Sequence, residues 1–272
     1  AQKADAEPNL RDVGSSLVFL LSAIVVSAAI GGWIALHEGI PVSVDMLFFV
    51  SVMGAVSATL LDSISVRTVH NLAVPLGSAM VMWLIFDVGY TTPPTYVAMV
   101  LTGALVLGYA AYRMRIADLS GLLSATLSGV LVMVFGSVWW FALVLLFFLL
   151  GGGFTRYRYA YKESRGVAQS KKGVRGYENV FSNTLPALAL VMLFRVFPEM
   201  QPAIFVGFVA CMATATADTL ASEIGETSKD TPRLITSLKP TTVGQDGGIT
   251  LLGEICLLYT SDAADELDGV DL

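Results

Sequence analysis

The sequence predicts an all-α protein: a polytopic bundle of transmembrane helices with about eight complete spans, a truncated ninth and a cytoplasmic N-terminus. Three observations predict it. Hydrophobic residues make up 55% of the chain and charged residues only 14%, with a mean hydropathy of +0.70; soluble domains carry about 25% charged residues. Apolar runs of roughly 20 residues, long enough to cross a bilayer, recur along the whole chain. Lys and Arg fall almost entirely on alternate connections between those runs.

The runs lie at about 16–36, 45–61, 72–88, 96–112, 119–135, 137–153, 184–197 and 202–217, and another starts near 248. The first is too long for a signal peptide and has no soluble domain behind it, so it reads as a retained helix. Gly136-Ser137 divides one long apolar stretch into two helices, and Pro75 is expected to kink the third. Starting with the N-terminus inside, every Lys and Arg except Arg195 falls on the inner side. That is the bias the positive-inside rule describes. The connections on the outer side are short, whereas the long segments 154–183 and 218–248 both fall inside. Chemistry is therefore expected at the cytoplasmic face of an integral membrane protein. Trp83, Tyr90, Trp139 and Trp140 sit near the outer boundary, as in an aromatic belt.

Charge is unevenly placed. Residues 256–272, CLLYTSDAADELDGVDL, hold Asp262, Asp265, Glu266, Asp268 and Asp271 with no Lys or Arg, and they interrupt an apolar run that begins at Ile249. CLLYTSDAADE resembles the translation of a transposase adapter used to build sequencing libraries. The segment is expected to be read-through, to be excluded from fold reasoning, and the chain, which begins without Met, to be truncated at both ends. Cys211 is then the one native cysteine, so neither a disulfide nor a thiolate metal site is available.

Two inner segments carry the candidate chemistry. Asp218 and Glu223 lie at the end of the run 202–217, where ionisable groups are costly and default to a functional reading. At 100° per residue, Asp218, Ala221, Ser222 and Gly225 share one face, and Glu223 lies about 140° round from Asp218. Glu223 would therefore need an unwound helix end, a long reach or a different role. Beyond it come Lys229, Arg233 and Lys239, then Gly244 and Gly247-Gly248 ahead of the next helix. A glycine-rich turn before a helix offers free N–H groups to an anion. The loop 154–183 brings seven cations, including Lys162 and Arg175, with Asn179 and Asn183 one helical turn apart. Carboxylates for Mg²⁺, cations for phosphates and an N–H cradle are the parts that phosphoryl transfer from a nucleotide uses. Blander readings stay open for each part: lipid head groups for the cations, interhelical hydrogen bonds for the Asn pair, a loop cation paired with Asp218, and a plain turn at Gly247-Gly248.

From about Ala104 to Ile255 the chain resembles the integral membrane family called domain of unknown function 92, whose members include transmembrane protein 19 and the plant phytyl-phosphate kinase. The resemblance rests on Leu119-Ser-Gly-Leu-Leu-Ser-Ala125, Phe147-Phe148 with Thr155 and Lys162, Gly173-Val-Arg175 with Asn179, Val180 and Asn183, Ala217-Asp-Thr-Leu-Ala-Ser-Glu-Ile-Gly225, Pro232-Arg-Leu-Ile-Thr236 and Gly247-Gly248. The family often has Trp where Leu220 stands. This makes residues 1–103 membrane helices outside the family core and 104–255 the core. In addition, Asp218-x-x-Ala221-x-x-x-Gly225 followed by Lys239-x-Thr241-x-x-Gly244 is similar to the CTP-binding pattern of dolichol kinase and related polyprenol kinases. That pattern has Lys at the position of Pro240 and Glu at that of Val243.

The resemblances imply a membrane kinase that moves a phosphoryl group from CTP or another nucleoside triphosphate to an isoprenoid alcohol or isoprenyl monophosphate, phytyl-phosphate kinase-like. Asp218 and Glu223 are the expected catalytic residues, Asp218 holding Mg²⁺ and Glu223 sharing it or activating the acceptor. Arg233, Lys239, Thr241, Gly244, Gly247 and Gly248 are expected to bind the donor phosphates. Lys162, Arg175, Asn179 and Asn183 are expected to bind the acceptor phosphate. The partners implied are the bilayer, an isoprenoid lipid and a nucleotide; no nucleic acid is expected, and no protein partner can be inferred. Two alternatives share these residues: a cytidylyltransferase that forms a CDP-lipid, and a transporter or lipid-binding protein with Asp218 as a coupling carboxylate. The inverted repeats common in transporters are not evident.

Overall fold

A computed structural model describes residues 10–64, 70–169 and 173–268. Lys3, Arg67, Lys171, Lys172 and Asp271, which enter the charge pattern above, lie outside them. Among the described residues the chain forms ten α-helices: α1 (Leu10–Glu38), α2 (Val44–Ile64), α3 (His70–Val88), α4 (Pro94–Arg113), α5 (Leu119–Phe135), α6 (Val138–Arg156), the short α7 (Tyr159–Ser164), α8 (Tyr177–Val196), α9 (Gln201–Gly225) and α10 (Leu251–Asp268). Seven are long and apolar enough to cross a membrane, and Leu119–Phe135 and Leu251–Thr260 are shorter apolar helices. The architecture is thus an all-α polytopic bundle, with every expected run present as a helix.

Local chemistry explains the boundaries. Asp118 caps α5 by accepting a hydrogen bond from Gly121 N at 3.0 Å, the usual way to satisfy a free N-terminal amide. Gly136 ends α5, and a Cβ there would meet Val132 O at 2.7 Å and the Trp140 ring at 3.1 Å. Two long helices can meet at that point only because the residue has no side chain. α8 starts seven residues before the apolar run at 184, because its first two turns, Tyr177–Asn183, are polar yet helical. α10 continues unbroken through Cys256; the change in composition there does not end the helix, since Ala, Leu, Glu and Asp are all compatible with one.

α2 is the most enclosed span, packed against α1, α3, α4 and α5, whereas α1 and α3 face outward. Buried Ser51, Ser57 and Thr59 on α2 and Ser124, Thr126 and Ser128 on α5 let these helices pack through small residues, as apolar solvent demands. Trp83 and Trp139 are exposed, as a belt requires, but Trp140 is buried against Phe194, Phe205 and Phe208. Trp140 belongs to the core instead, because it lies on the face of α6 turned toward α8 and α9.

The connections sort to two ends of the bundle. At one end Arg195 donates from Nε to Phe135 O at 2.7 Å and stacks over Tyr90. At the other, the α4–α5 connection pairs with the segment before α8: Arg175 N donates to Ile116 O at 2.9 Å and Asp118 N to Arg175 O at 3.0 Å. Arg165 Nη1 ties this same end to the α9–α10 connection through Glu226 O at 3.1 Å. α9, at 25 residues, is about 37 Å long at 1.5 Å per residue. It outruns the ~30 Å hydrocarbon layer, so its last turns reach the polar zone at this second end.

Candidate functional site

α9 is gripped on two sides, and each side makes one half of the site. Asp218, Ala221, Ser222 and Gly225, on the face read from the sequence, line a cavity of about 470 Å³ whose opposite wall is the turn Val243–Gly248 and the start of α10. α9 and α10 meet through glycines: a Cβ on Gly253 would lie 2.9 Å from Ala221 O and 3.4 Å from Gly225 Cα. Thr250 Oγ1 caps α10 by accepting from Gly253 N at 3.2 Å. Gly253→Leu should therefore force the helices apart, costing about 1–3 kcal/mol by overpacking. Thermal melts in detergent are expected to drop by several degrees; an unchanged melting temperature would contradict this close crossing.

The glycine turn behaves differently from a free cradle. Gly244 and Gly247 have φ of +79° and +74°, values that only glycine adopts without strain. Gly248 N, however, donates to Gln245 O at 2.9 Å, so this amide closes the turn itself. Gly244, Gly247 and Gly248 all reach the cavity wall. Arg233, Lys239 and Thr241 do not. Arg233 lies in a two-residue strand β1 (Arg233–Leu234), paired antiparallel with β2 (Gly248–Ile249), and its guanidinium donates to Leu238 O at 2.9 Å. Lys239 is exposed. The cavity wall carries four carboxylates, Asp218, Glu226, Asp246 and Glu254, and no Lys or Arg.

Glu223 points to the opposite side of α9, where it is buried among cations. No unwound end is needed, since α9 stays helical through Gly225; the 140° offset turns Glu223 toward α6 and α7. Thr155 Oγ1 lies 2.6 Å from Glu223 Oε1, Gln169 Nε2 donates to the same oxygen at 2.9 Å, and Lys162 Nζ forms an ion pair with Oε2. Lys162 also donates to Phe154 O at 3.0 Å. Lys162 and Glu223 are only 1% and 4% exposed. Arg175 completes the group, donating from Nη2 to Thr155 Oγ1 at 3.2 Å. It fits only because residue 151 is glycine, where a Cβ would lie 2.7 Å from Nη2. Burial pulls the Arg175 pKa down, opposed by the charge of Glu223.

Asn179 and Asn183 stand apart from that group in hydrogen bonding. Asn183 Nδ2 donates to Asn179 O at 3.1 Å within α8, so this amide serves its own helix. Gln169 and Glu226 were not legible in the sequence as site residues. Glu226, just past the end of α9, joins the two halves: it lines the cavity, and its Oε2 lies 4.0 Å from Lys162 Nζ. That oxygen is buried and has no hydrogen bond. Burial first, and the charge of Glu223 second, raise the Glu226 pKa to about 7 against the pull of Lys162. Among the described residues, no three His, Cys, Asp or Glu side chains stand close enough to hold a metal by themselves.

Fold and site together define a polytopic membrane-helix protein with an acidic cavity and a buried ion cluster at one end of the bundle. The chain belongs to the family Integral membrane protein DUF92, whose profile matches residues 102–262. It is 32% identical over 127 residues to an uncharacterized membrane protein of Synechocystis, covering 46% of this chain and 49% of that one. It is 32% identical over 146 residues to Protein VTE6, chloroplastic, of Arabidopsis thaliana, covering 52% and 44%, and 29% identical over 168 residues to Protein PGR of the same plant, covering 56% and 57%. The chain thus spans about half the length of the curated relatives it matches. No solved structure matches it.

Proposed function

We propose that this protein is a membrane kinase that transfers a phosphoryl group from a nucleoside triphosphate, CTP by the pattern around Asp218 and Lys239, to an isoprenoid alcohol or isoprenyl monophosphate. One observation carries the reading. Asp218 and the Gly244–Gly248 turn share a cavity, and Glu226 links that cavity to Lys162 and Arg175 behind it. The charge bias of the connections supports a cytoplasmic location for this end of the bundle.

Mg²⁺ fits the donor set, because hard carboxylate oxygens line the cavity and Mg²⁺ takes one or two carboxylates with phosphates and water. Asp218 would hold it, and when bound it would neutralise charge on the transferring phosphates. The cavity holds donor and acceptor close, which is where most of the rate in phosphoryl transfer arises. Lys239, on the exposed loop beside the turn, supplies charge to the donor's outer phosphates. Lys162, 4.0 Å from Glu226, and Arg175 behind it are the cations assigned to an acceptor phosphate. Asn179 and Asn183 contribute by holding the start of α8. Glu223 lies outside the cavity wall with both oxygens engaged, and so acts by positioning Lys162. The acceptor's apolar tail lies among the helices, with Ile235 and Ile249 at the cavity edge.

Purified full-length protein in lipid nanodiscs, given radiolabelled CTP or ATP with phytol, geranylgeraniol or their monophosphates, should yield a phosphorylated lipid and a nucleoside diphosphate. Absence of transfer from any nucleotide to any acceptor would defeat the kinase reading. Release of pyrophosphate with a CDP-lipid would replace it with the cytidylyltransferase.

A further inference from the structure

We propose that Glu226 is the proton acceptor of this site, and that the group it serves is the hydroxyl of a lipid alcohol rather than a lipid monophosphate. The inference rests on the kinase reading and selects between its two acceptor classes.

The placement of Glu226 carries the argument. Of the four carboxylates on the cavity wall, Asp218 and Asp246 are exposed. Glu226 alone among them has a buried oxygen with no hydrogen bond and a lysine within 4.0 Å. The groups around it are known from every side. Lys162 faces it from α7, Glu223 stands one helical turn before it, Arg165 binds its main-chain carbonyl at 3.1 Å, and Asp246 and Glu254 share the cavity wall. A carboxylate whose pKa is raised to about 7 is ionised in useful amount near neutrality and is basic enough to take a proton, which is what general-base catalysis asks for. Lys162 can stay beside it through both states, because the pair is not locked by a short hydrogen bond.

The same carboxylate argues about the acceptor. A phosphate monoester has a second pKa near 6, so at neutral pH it is largely a dianion with no proton to lose. An alcohol brings no charge, and its hydroxyl must lose a proton as it becomes a phosphate ester. In the step, the alcohol oxygen bonds to the γ-phosphorus and the bond from that phosphorus to the bridging oxygen breaks. The bridging oxygen leaves with the electron pair as part of the nucleoside diphosphate, and the hydroxyl proton passes to the Glu226 carboxylate.

The test compares wild type, Glu226→Gln and Glu226→Asp in nanodiscs with CTP and with either geranylgeraniol or geranylgeranyl monophosphate across pH 5.5–9. In wild type the alcohol rate should rise with pH to a plateau as Glu226 loses its proton. Glu226→Gln should lower kcat for the alcohol by about 10²-fold or more, abolish that rising limb, and reduce the ratio of alcohol to monophosphate rates at least tenfold. Its melting temperature and CTP binding report whether the variant is folded. Glu226→Asp, which keeps the carboxylate one methylene back, should retain the limb at reduced kcat. If wild type transfers to either acceptor but the ratio and the limb are the same in Glu226→Gln, Glu226 is not the base and this inference fails. A folded variant inert toward both acceptors also overturns it, since Glu226 would then serve the donor. Wild type inert toward both defeats the kinase reading itself.

Discussion

Replacing Lys162 with Met is expected to destabilise the protein by about 3–5 kcal/mol, the range for removing one partner of a buried ion pair. Lys162 is 1% exposed, and it pairs with Glu223, which is 4% exposed and sits on a helix at the membrane edge. Methionine fills a similar volume, so the effect is electrostatic: Glu223 would keep Thr155 and Gln169 but lose its principal cation. Arg175 cannot simply take over, because Gly151 and Thr155 hold its guanidinium in place. Thermal melts in detergent should fall on the order of 10 °C. Adding Glu223→Gln should recover much of the loss, since the amide oxygen can still accept from Thr155 and Gln169 and no unpaired charge is left buried. A Lys162→Met protein that melts with wild type would show that the pair contributes nothing to the fold. A double variant that melts below the single would show that Glu223 matters for something other than Lys162.

This pair also shows where sequence reasoning stops. The helices were legible because a membrane span is a one-dimensional property: 20 apolar residues and a charged or glycine-containing boundary suffice. Even the Gly136-Ser137 division could be read, since a tight turn needs a residue without a side chain. The angular position of Asp218 was legible for the same reason, as helical spacing fixes which residues share a face. What that spacing cannot give is the neighbour on each face. The 140° between Asp218 and Glu223 makes Glu223 look misplaced when only one ligand-facing side is imagined. α9 in fact is covered on more than one side: α10 with the glycine turn faces Asp218, α6 with α7 faces Glu223, and α8 packs along it as well. Glu226 was harder still. It lies eight residues past Asp218, about 80° round the helix, but that relation holds only if the helix is known to reach Gly225. Lys239 shows the same limit from the other side. Its spacing from Asp218 matches a nucleotide-binding pattern, yet the β1–β2 pairing sets its loop to the outside of the cavity.

Asp218→Asn is expected to separate function from stability in the opposite sense to Lys162→Met. Asp218 is exposed, and among the described residues no Lys or Arg forms an ion pair with it. The reading of Asp218 as a structural carboxylate tied to a loop cation therefore has no support in the geometry. Exposed substitutions away from special features change stability by no more than about 0.5 kcal/mol, so the melting temperature should stay within a degree or two of wild type. Asparagine keeps the shape but removes the negative charge that a cation-bound nucleotide would need. Transfer should fall by about 10²–10³-fold, on the scale seen when a single electrostatic contact to a transition state is lost. The Mg²⁺ concentration needed for half-maximal rate should rise with it, which a fault in folding would not produce. The two variants thus test independent halves of one site. If Asp218→Asn lowers the melting temperature as much as it lowers transfer, the cavity face of α9 is structural, and the metal-binding role assigned to Asp218 is lost. If it leaves both untouched, the cavity between α9 and α10 is not where the nucleotide binds, whatever the lipid product proves to be.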